Sequence, residues 1–198
     1  MTENPLNNPI IEEKPGSFIY TQRHALPGDI CREIIDRFEQ RTADQYPGRI
    51  GQTQREDMGI KRSTDLVVSG NPAWKDIDRE LFRSLSRALG RFSEDFPFFS
   101  GPFKDTGYGI QRTLPGEYYH WHIDGGSHEF ANRQLVAIWY LNQLDDSGGE
   151  TEFEYQQIKI RPETGKLLLF PPFWTHLHQN STLEKGVKYI STTWLCYA

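Results

Sequence analysis

Cysteine is nearly absent from this 198-residue chain. Cys31 and Cys196 lie at opposite ends, and nothing resembling a secretory h-region precedes either, so reduced thiols in a cytoplasm are expected rather than a disulfide framework. Long apolar runs are missing too. None approaches the roughly 20 residues needed to span a bilayer, which predicts a cytoplasmic protein with no membrane partner. Neither sign of charge forms a long run: 22 basic and 27 acidic residues leave a net charge of -5 and give no support for nucleic-acid or membrane-surface binding. Internal repeats and low-complexity segments are also lacking. What remains is 36% hydrophobic and 13% aromatic, enough for one domain with a core rich in Phe, Tyr and Trp and for a single active site.

Along the chain, three regions are expected. Residues 1–16, with Pro5, Pro9 and Pro15, read as a tail that gains order only by docking. Residues 17–105 read as a helical support region packed on the core. Phe18 to Tyr20 is a short candidate strand. Ile30, Ile34, Ile35 and Phe38 then recur at helical spacing after Gly28 and Asp29. Residues 42–63 lack periodicity and read as loop or short irregular strands. Asn71-Pro72 supplies an N-cap and a proline suited to the first helical turn, and Trp74, Ile77, Leu81, Leu85, Leu89 and Phe92 follow on one stripe. That stripe is core rather than a binding groove.

From residue 106 to 198 the pattern changes to β-branched and aromatic segments divided by turn signals such as Pro115-Gly116, Gly125-Gly126, Asp146-Ser147-Gly148-Gly149 and Pro171-Pro172. The clearest strands are Leu135 to Leu141, Thr151 to Tyr155, Lys166 to Phe170 and Lys188 to Trp194. Helices first and strands afterwards predict an α+β, mainly β fold: a double-stranded β-helix, or jelly roll, with N-terminal supporting helices.

The chemistry concentrates in His120-Trp-His-Ile-Asp124 and in the distant His176-Leu-His178 followed by Lys188. A His-x-Asp pair joined by a remote histidine supplies two imidazoles and one carboxylate, a set that occupies one face of an Fe(II) ion and leaves the other open. On an ideal strand Tyr118, His120, His122 and Asp124 share one face. The pair alone decides little, since about 0.4 such motifs are expected by chance in a chain with this content of His and Asp. Spacing alone also leaves both His176 and His178 open as the distal ligand.

The C-terminal context adds Gly165-Lys-Leu-Leu-Leu-Phe-Pro-Pro-Phe-Trp-Thr-His-Leu-His and Gly186-Val-Lys-Tyr-Ile-Ser-Thr-Thr-Trp, together with Tyr140-Leu-Asn and Gly148-Gly-Glu-Thr-Glu-Phe. In these segments the chain, over about residues 106 to 196, resembles the Fe(II)- and 2-oxoglutarate-dependent dioxygenases and, within them, the prolyl 4-hydroxylase-like group. The resemblance implies His122, Asp124 and His178 as iron ligands and catalytic residues, with Lys188 as the cation on the distal carboxylate of 2-oxoglutarate. It also implies O2 as the oxidant and ascorbate as an accessory reductant. Independently, a buried dicarboxylate needs a paired cation. The implied reaction is hydroxylation of an unactivated C–H bond, of a prolyl residue in a peptide or of a free amino acid or other small metabolite, with succinate and CO2 released. Halogenation is disfavoured because Asp124 takes the position a halide would need. A jelly-roll metal- or sugar-binding module without catalysis is the contrasting reading, and Lys188 argues against it.

Other residues carry weaker signals. Tyr119 is a candidate for the cosubstrate pocket, with core packing as its alternative. His120 and His176 are expected to orient the ligands or line the pocket. Arg133 is a candidate for a substrate carboxylate or backbone, although a structural ion pair is the stronger expectation. Lys61-Arg-Ser-Thr-Asp65 reads as a solvated turn in preference to a substrate lid. His24 and His128 read as ordinary surface or packing residues.

Overall fold

Asn71 starts the longer helix as its chemistry predicts: its side chain accepts from the Ala73 amide, and Pro72 opens a 3-10 turn that runs into α2 (Lys75–Asp95). Ile77, Leu81, Leu85, Ala88 and Phe92 form its buried stripe. α1 (Gly28–Gln40) buries Cys31, Ile34 and Phe38, with Asp29 in its first turn and Arg37 in its last, the polarity that suits a helix dipole.

The computed structural model describes residues 8–51, 55–145 and 147–198, so residues 1–7 of the expected tail, 52–54 of the loop and Asp146 of one turn lie outside the described residues. The strands are β1 (Ile11–Glu12), β2 (Tyr20–Gln22), β3 (Tyr46–Pro47), β4 (Thr64–Val67), β5 (Phe103–Asp105), β6 (Gly109–Thr113), β7 (Tyr119–His122), β8 (Arg133–Tyr140), β9 (Thr151–Phe153), β10 (Ile158–Ile160), β11 (Leu167–Phe170), β12 (His178–Asn180) and β13 (Lys188–Tyr197). A nine-stranded sheet runs β1-β2-β11-β8-β13-β6-β4-β3, with β5 also on β13, and faces a four-stranded sheet ordered β10-β9-β12-β7. All the pairings are antiparallel. The fold is a jelly roll backed by two helices.

Strand β8 shows why its run is continuously apolar. Leu135, Ala137 and Trp139 pack with the helices, whereas Val136, Ile138 and Tyr140 join Phe153, Phe170 and Ile190 between the sheets. Both faces are covered, and each fully buried Leu, Ile or Phe contributes roughly 1.5 to 3 kcal/mol. Helix α2 is also held to the sheet by polar contacts, as the Trp139 indole donates to Ser84 Oγ at 3.0 Å and Ser84 donates to the Ala25 carbonyl at 2.7 Å. The large sheet is therefore a stiff base for the small one.

Two expectations shift, and the tail's docking gains its bounds. The strand expected at Phe18 to Tyr20 is β2 and begins at Tyr20, because Phe18 adopts a left-handed backbone with φ 55° that a strand cannot continue through. The N-terminal segment docks from residue 8 onward, since β1 pairs β2 and Gln22 donates to the Asn8 carbonyl at 2.8 Å. Residues 61–65 are no solvated turn. Thr64–Val67 pairs along β6, which draws Lys61 and Asp65 inside, where they form a buried ion pair at 2.7 Å. Among the described residues no helix is long and apolar enough to cross a membrane.

Candidate active site

Strands β7 and β12 of the small sheet lie side by side, and their register sets the site. His122 is directly opposite His178, yet the next partner of Asn180 is Tyr119, so three steps along β7 match two along β12. This bulge reverses the alternation of side chains. Tyr119 and His122 consequently share a face, their rings stacked at 3.5 Å, and the His122 and His178 rings approach to 4.2 Å. The common face expected for Tyr118, His120, His122 and Asp124 is thus corrected: His120 is exposed and stacks on Tyr118 at 4.1 Å, away from the ligand cluster.

Asp124 follows the end of β7 and is 9% exposed. Its turn is fastened to the proline turn after β11, because the Gly125 amide donates to the Pro172 carbonyl at 2.7 Å. A side chain at Gly125 would bring its Cβ 3.1 Å from that carbonyl, which is why glycine suits the position. The result places ligand atoms of His122, Asp124 and His178 within 4.8 Å of one another, with His178 Nε2 3.2 Å from Asp124 Oδ2.

The donor set fits a divalent metal. His122 Nδ1 lies 2.7 Å from the His120 carbonyl and His178 Nδ1 lies 2.9 Å from the His176 carbonyl, so both rings use Nδ1 on backbone and leave Nε2 for a ligand bond. Desolvation and the neighbouring His178 push His122 down to about 3, which keeps its lone pair free at neutral pH. For Asp124, desolvation acts to raise the carboxyl, but the His178 hydrogen bond and the charges of His178, His122 and Arg133 outweigh it and hold the group below the usual carboxylate range. A carboxylate oxygen and two imidazole nitrogens converge there.

His176 occupies a different niche. It is buried, with Nε2 3.0 Å from the Ser17 carbonyl and Nδ1 2.9 Å from Thr175 Oγ1, so both ring nitrogens are engaged away from the triad. It ties the N-terminal segment to the ligand strand, and its own carbonyl orients His178. His24 and His128 are exposed.

Lys188 opens β13 and is 1% exposed. Its Nζ donates to the Gly149 carbonyl at 2.6 Å and to Asn180 Oδ1 at 2.9 Å, and among the described residues it has no ion pair with a carboxylate. Burial pushes its pKa down to about 7, with Glu150 opposing. Tyr140 continues the polar string, donating to Thr151 Oγ1 at 2.7 Å, and Thr151 donates to Asn180 Oδ1 at 3.2 Å. The Gly148-Gly149 turn makes this reach possible. Both residues have positive φ, and a Cβ on Gly148 would sit 2.3 Å from the Thr182 carbonyl. Sequence reasoning missed Asn180 and Thr151. The available signal was His178 and Asn180 two apart on one strand, which directs both to one face.

A cavity of about 510 Å³ opens on Asp124, walled by Lys61, Gln111, Tyr119, Arg133 and Trp194. Arg133 forms no ion pair among the described residues. Instead Nη1 donates to the Asp124 carbonyl at 2.6 Å, and the guanidinium lies 3.9 Å from the ring centres of both Phe130 and Trp194. Burial lowers its pKa, opposed first by Asp124. Tyr119 is raised above the usual phenol range, mainly by burial and then by the nearby Asp124, and therefore stays neutral.

Comparison with known proteins agrees with this geometry. The family model described as the 2OG-Fe(II) oxygenase superfamily matches residues 108–196. The chain is 30% identical over 89 residues to a PKHD-type hydroxylase of Synechococcus sp. (strain CC9902), covering 43% of this chain and 39% of that protein. A relative from Acanthamoeba polyphaga mimivirus is 29% identical over 159 residues, 70% of this chain and 59% of its own length. The chain thus spans less than two thirds of either relative. In fold it is similar to a Trichoplax adhaerens prolyl hydroxylase solved with a hypoxia inducible factor peptide fragment, with a TM-score of 0.78 at 16% identity over 91% of this chain and 84% of that one. Residues 108–196 therefore match the 2OG-Fe(II) oxygenase superfamily, and the chain is similar in sequence to hydroxylases and in fold to a prolyl hydroxylase.

Proposed function

We propose that this protein is an Fe(II)- and 2-oxoglutarate-dependent dioxygenase that hydroxylates an unactivated C–H bond. His122, Asp124 and His178 hold the metal, and Lys188 holds the distal carboxylate of the cosubstrate. The observation that carries this reading is the combination of a partly buried His-Asp-His triad with a buried lysine that has no ion pair among the described residues. A cation so far from water is stable only with an anion supplied from outside or with its proton released. Fe(II), when bound with 2-oxoglutarate and O2, supplies the redox chemistry that couples decarboxylation to insertion of one oxygen atom into the substrate.

The chain's own residues do the rest by positioning. Asn180 and the Gly149 carbonyl fix the Lys188 ammonium, and Tyr140 and Thr151 fix Asn180 in turn. The Tyr119 ring packs against His122 and narrows the approach to it. The apolar layer of Ile138, Phe153, Phe170 and Ile190 keeps water from the inner end, which strengthens each charge interaction there. Ascorbate as an accessory reductant belongs to the same proposal.

A prolyl residue in a peptide is the leading substrate, supported by the names of the relatives. The test is aerobic incubation of the purified protein with Fe(II), 2-oxoglutarate and panels of peptides and amino acids, read by mass spectrometry. Succinate formed in step with a substrate gaining one oxygen atom is expected. Failure of the loaded protein to bind 2-oxoglutarate would refute the assignment.

A further inference from the structure

Several arginines of this protein are matched to acids: Arg37 to Asp76 and Glu33, Arg112 to Glu39, Arg83 to Glu80. Arg133 is half-buried in the wall of the Asp124 cavity and has no such partner among the described residues. The nearby Asp124 carboxylate does not fill the role, because it faces His178 and the metal position. Among the described residues its direct contacts are a neutral carbonyl and two aromatic faces, with the Asp124 charge acting from further off. A planar guanidinium carries five N–H donors, and one of them is used. The same wall holds further unmatched donors. The Trp194 indole N–H is buried without an acceptor, and the Gln111 side chain makes no hydrogen bond among the described residues.

A desolvated cation flanked by unmatched donors recognises a carboxylate better than a neutral carbonyl, because a guanidinium grips a carboxylate through two parallel hydrogen bonds. We propose that Arg133 anchors a free carboxylate on the substrate, with its unused N–H edge, while the carbon to be oxidised lies beside the His122, Asp124 and His178 triad. The inference rests on the dioxygenase reading and names the substrate class within it: a small carboxylic acid such as a free amino acid, or a peptide recognised at its C-terminus. Both sources share the same chemistry at Arg133. A peptide recognised in mid-chain offers only neutral carbonyls.

The test uses the full chain loaded with Mn(II) and 2-oxoglutarate in the absence of oxygen, so that binding is read without turnover. Calorimetric titrations compare acetate, L-proline, L-prolinamide, a tripeptide ending in a free proline carboxylate and the same tripeptide capped at both ends. Saturable binding by the free acids, at least about tenfold tighter than by their amides, is expected. Proline outranking the tripeptide points to a small-acid substrate, and the reverse order to a peptide C-terminus. Arg133→Gln should erase the acid-over-amide preference while Mn(II) and 2-oxoglutarate still bind, and Arg133→Lys should retain part of it. Equal binding of capped and free forms, or no carboxylate binding by wild-type protein that takes up Mn(II) and 2-oxoglutarate, overturns the proposal. Failure to take up Mn(II) or 2-oxoglutarate sinks the dioxygenase reading itself, and the two failures are told apart by those controls.

Discussion

Lys61 and Lys188 are both buried, at 5% and 1% exposure, and they differ in their partners. Lys61 has Asp65 at 2.7 Å, and Asp65 is further held by Ser63 at 2.7 Å. Lys188 has only neutral oxygens, from Gly149 and Asn180. A third buried lysine, Lys166, is also paired with an acid, Glu163. The neutralised lysines complete structure within the chain. The un-neutralised one is proposed as a binding site whose anion comes from outside, and burial marks a functional charge only when the partner is counted too.

The widest test removes the proposed metal ligands. Asp124→Ala and His178→Ala are each expected to weaken metal binding by more than about a hundredfold, beyond the typical effect of removing a residue that only orients a ligand, and to abolish turnover. His176→Ala should keep the metal, since its ring bonds Ser17 and Thr175 rather than the triad. Metal content of the three purified variants decides this, and iron lost from the His176 variant but kept by the His178 variant would reverse the assignment.

Stability separates the two lysines next. Lys61→Met strands the buried Asp65 carboxylate and is expected to destabilise the fold by about 3 to 5 kcal/mol. Lys188→Met removes a buried cation without orphaning an anion, so the melting temperature should hold or rise. The same Lys188 variant should bind 2-oxoglutarate about 30- to 150-fold more weakly, equivalent to roughly 2 to 3 kcal/mol for a lost charge-assisted contact, with metal affinity little changed. Chemical denaturation and calorimetry on the two variants suffice, and equal destabilisation by both would erase the distinction drawn here.

What was legible in the sequence follows from how local each feature is. The helices were read from side-chain spacing because Asn71, Pro72 and the Ile77 to Phe92 stripe act within one segment. The His122–Asp124 pair was legible for the same reason. The exposure of His120 was not, because the bulge that reverses side-chain parity is made jointly by β7 and β12, which are far apart in the chain. Nor was the burial of Lys61 and Asp65, which depends on β4 pairing with β6 over 40 residues later. The Phe18 error had a local cause, a left-handed residue that β propensity does not reveal. Choosing His178 over His176 needed the family resemblance, since strand periodicity treats the two alike.

The smallest expected effect is a pH dependence, and it sharpens the comparison because only the unpaired lysine should produce it. Burial lowers Lys188 to about 7, so in the free protein its charge is lost as pH rises through neutrality. A bound dicarboxylate restores the missing partner and raises that pKa in the complex, which makes binding take up a proton wherever the free lysine is neutral and the bound one charged. The sign is therefore fixed: 2-oxoglutarate affinity is level below about pH 6.5 and weakens above 7, approaching tenfold per pH unit, or about 1.4 kcal/mol. Arginine does not release its proton in this range, so Lys188→Arg should bind with a shallower pH profile even if its shape lowers the affinity overall. Calorimetry with Mn(II) and 2-oxoglutarate from pH 6 to 9 measures both curves. Parallel profiles for wild type and Lys188→Arg would mean that another group controls the titration and that the missing half of the Lys188 ion pair is not the cosubstrate.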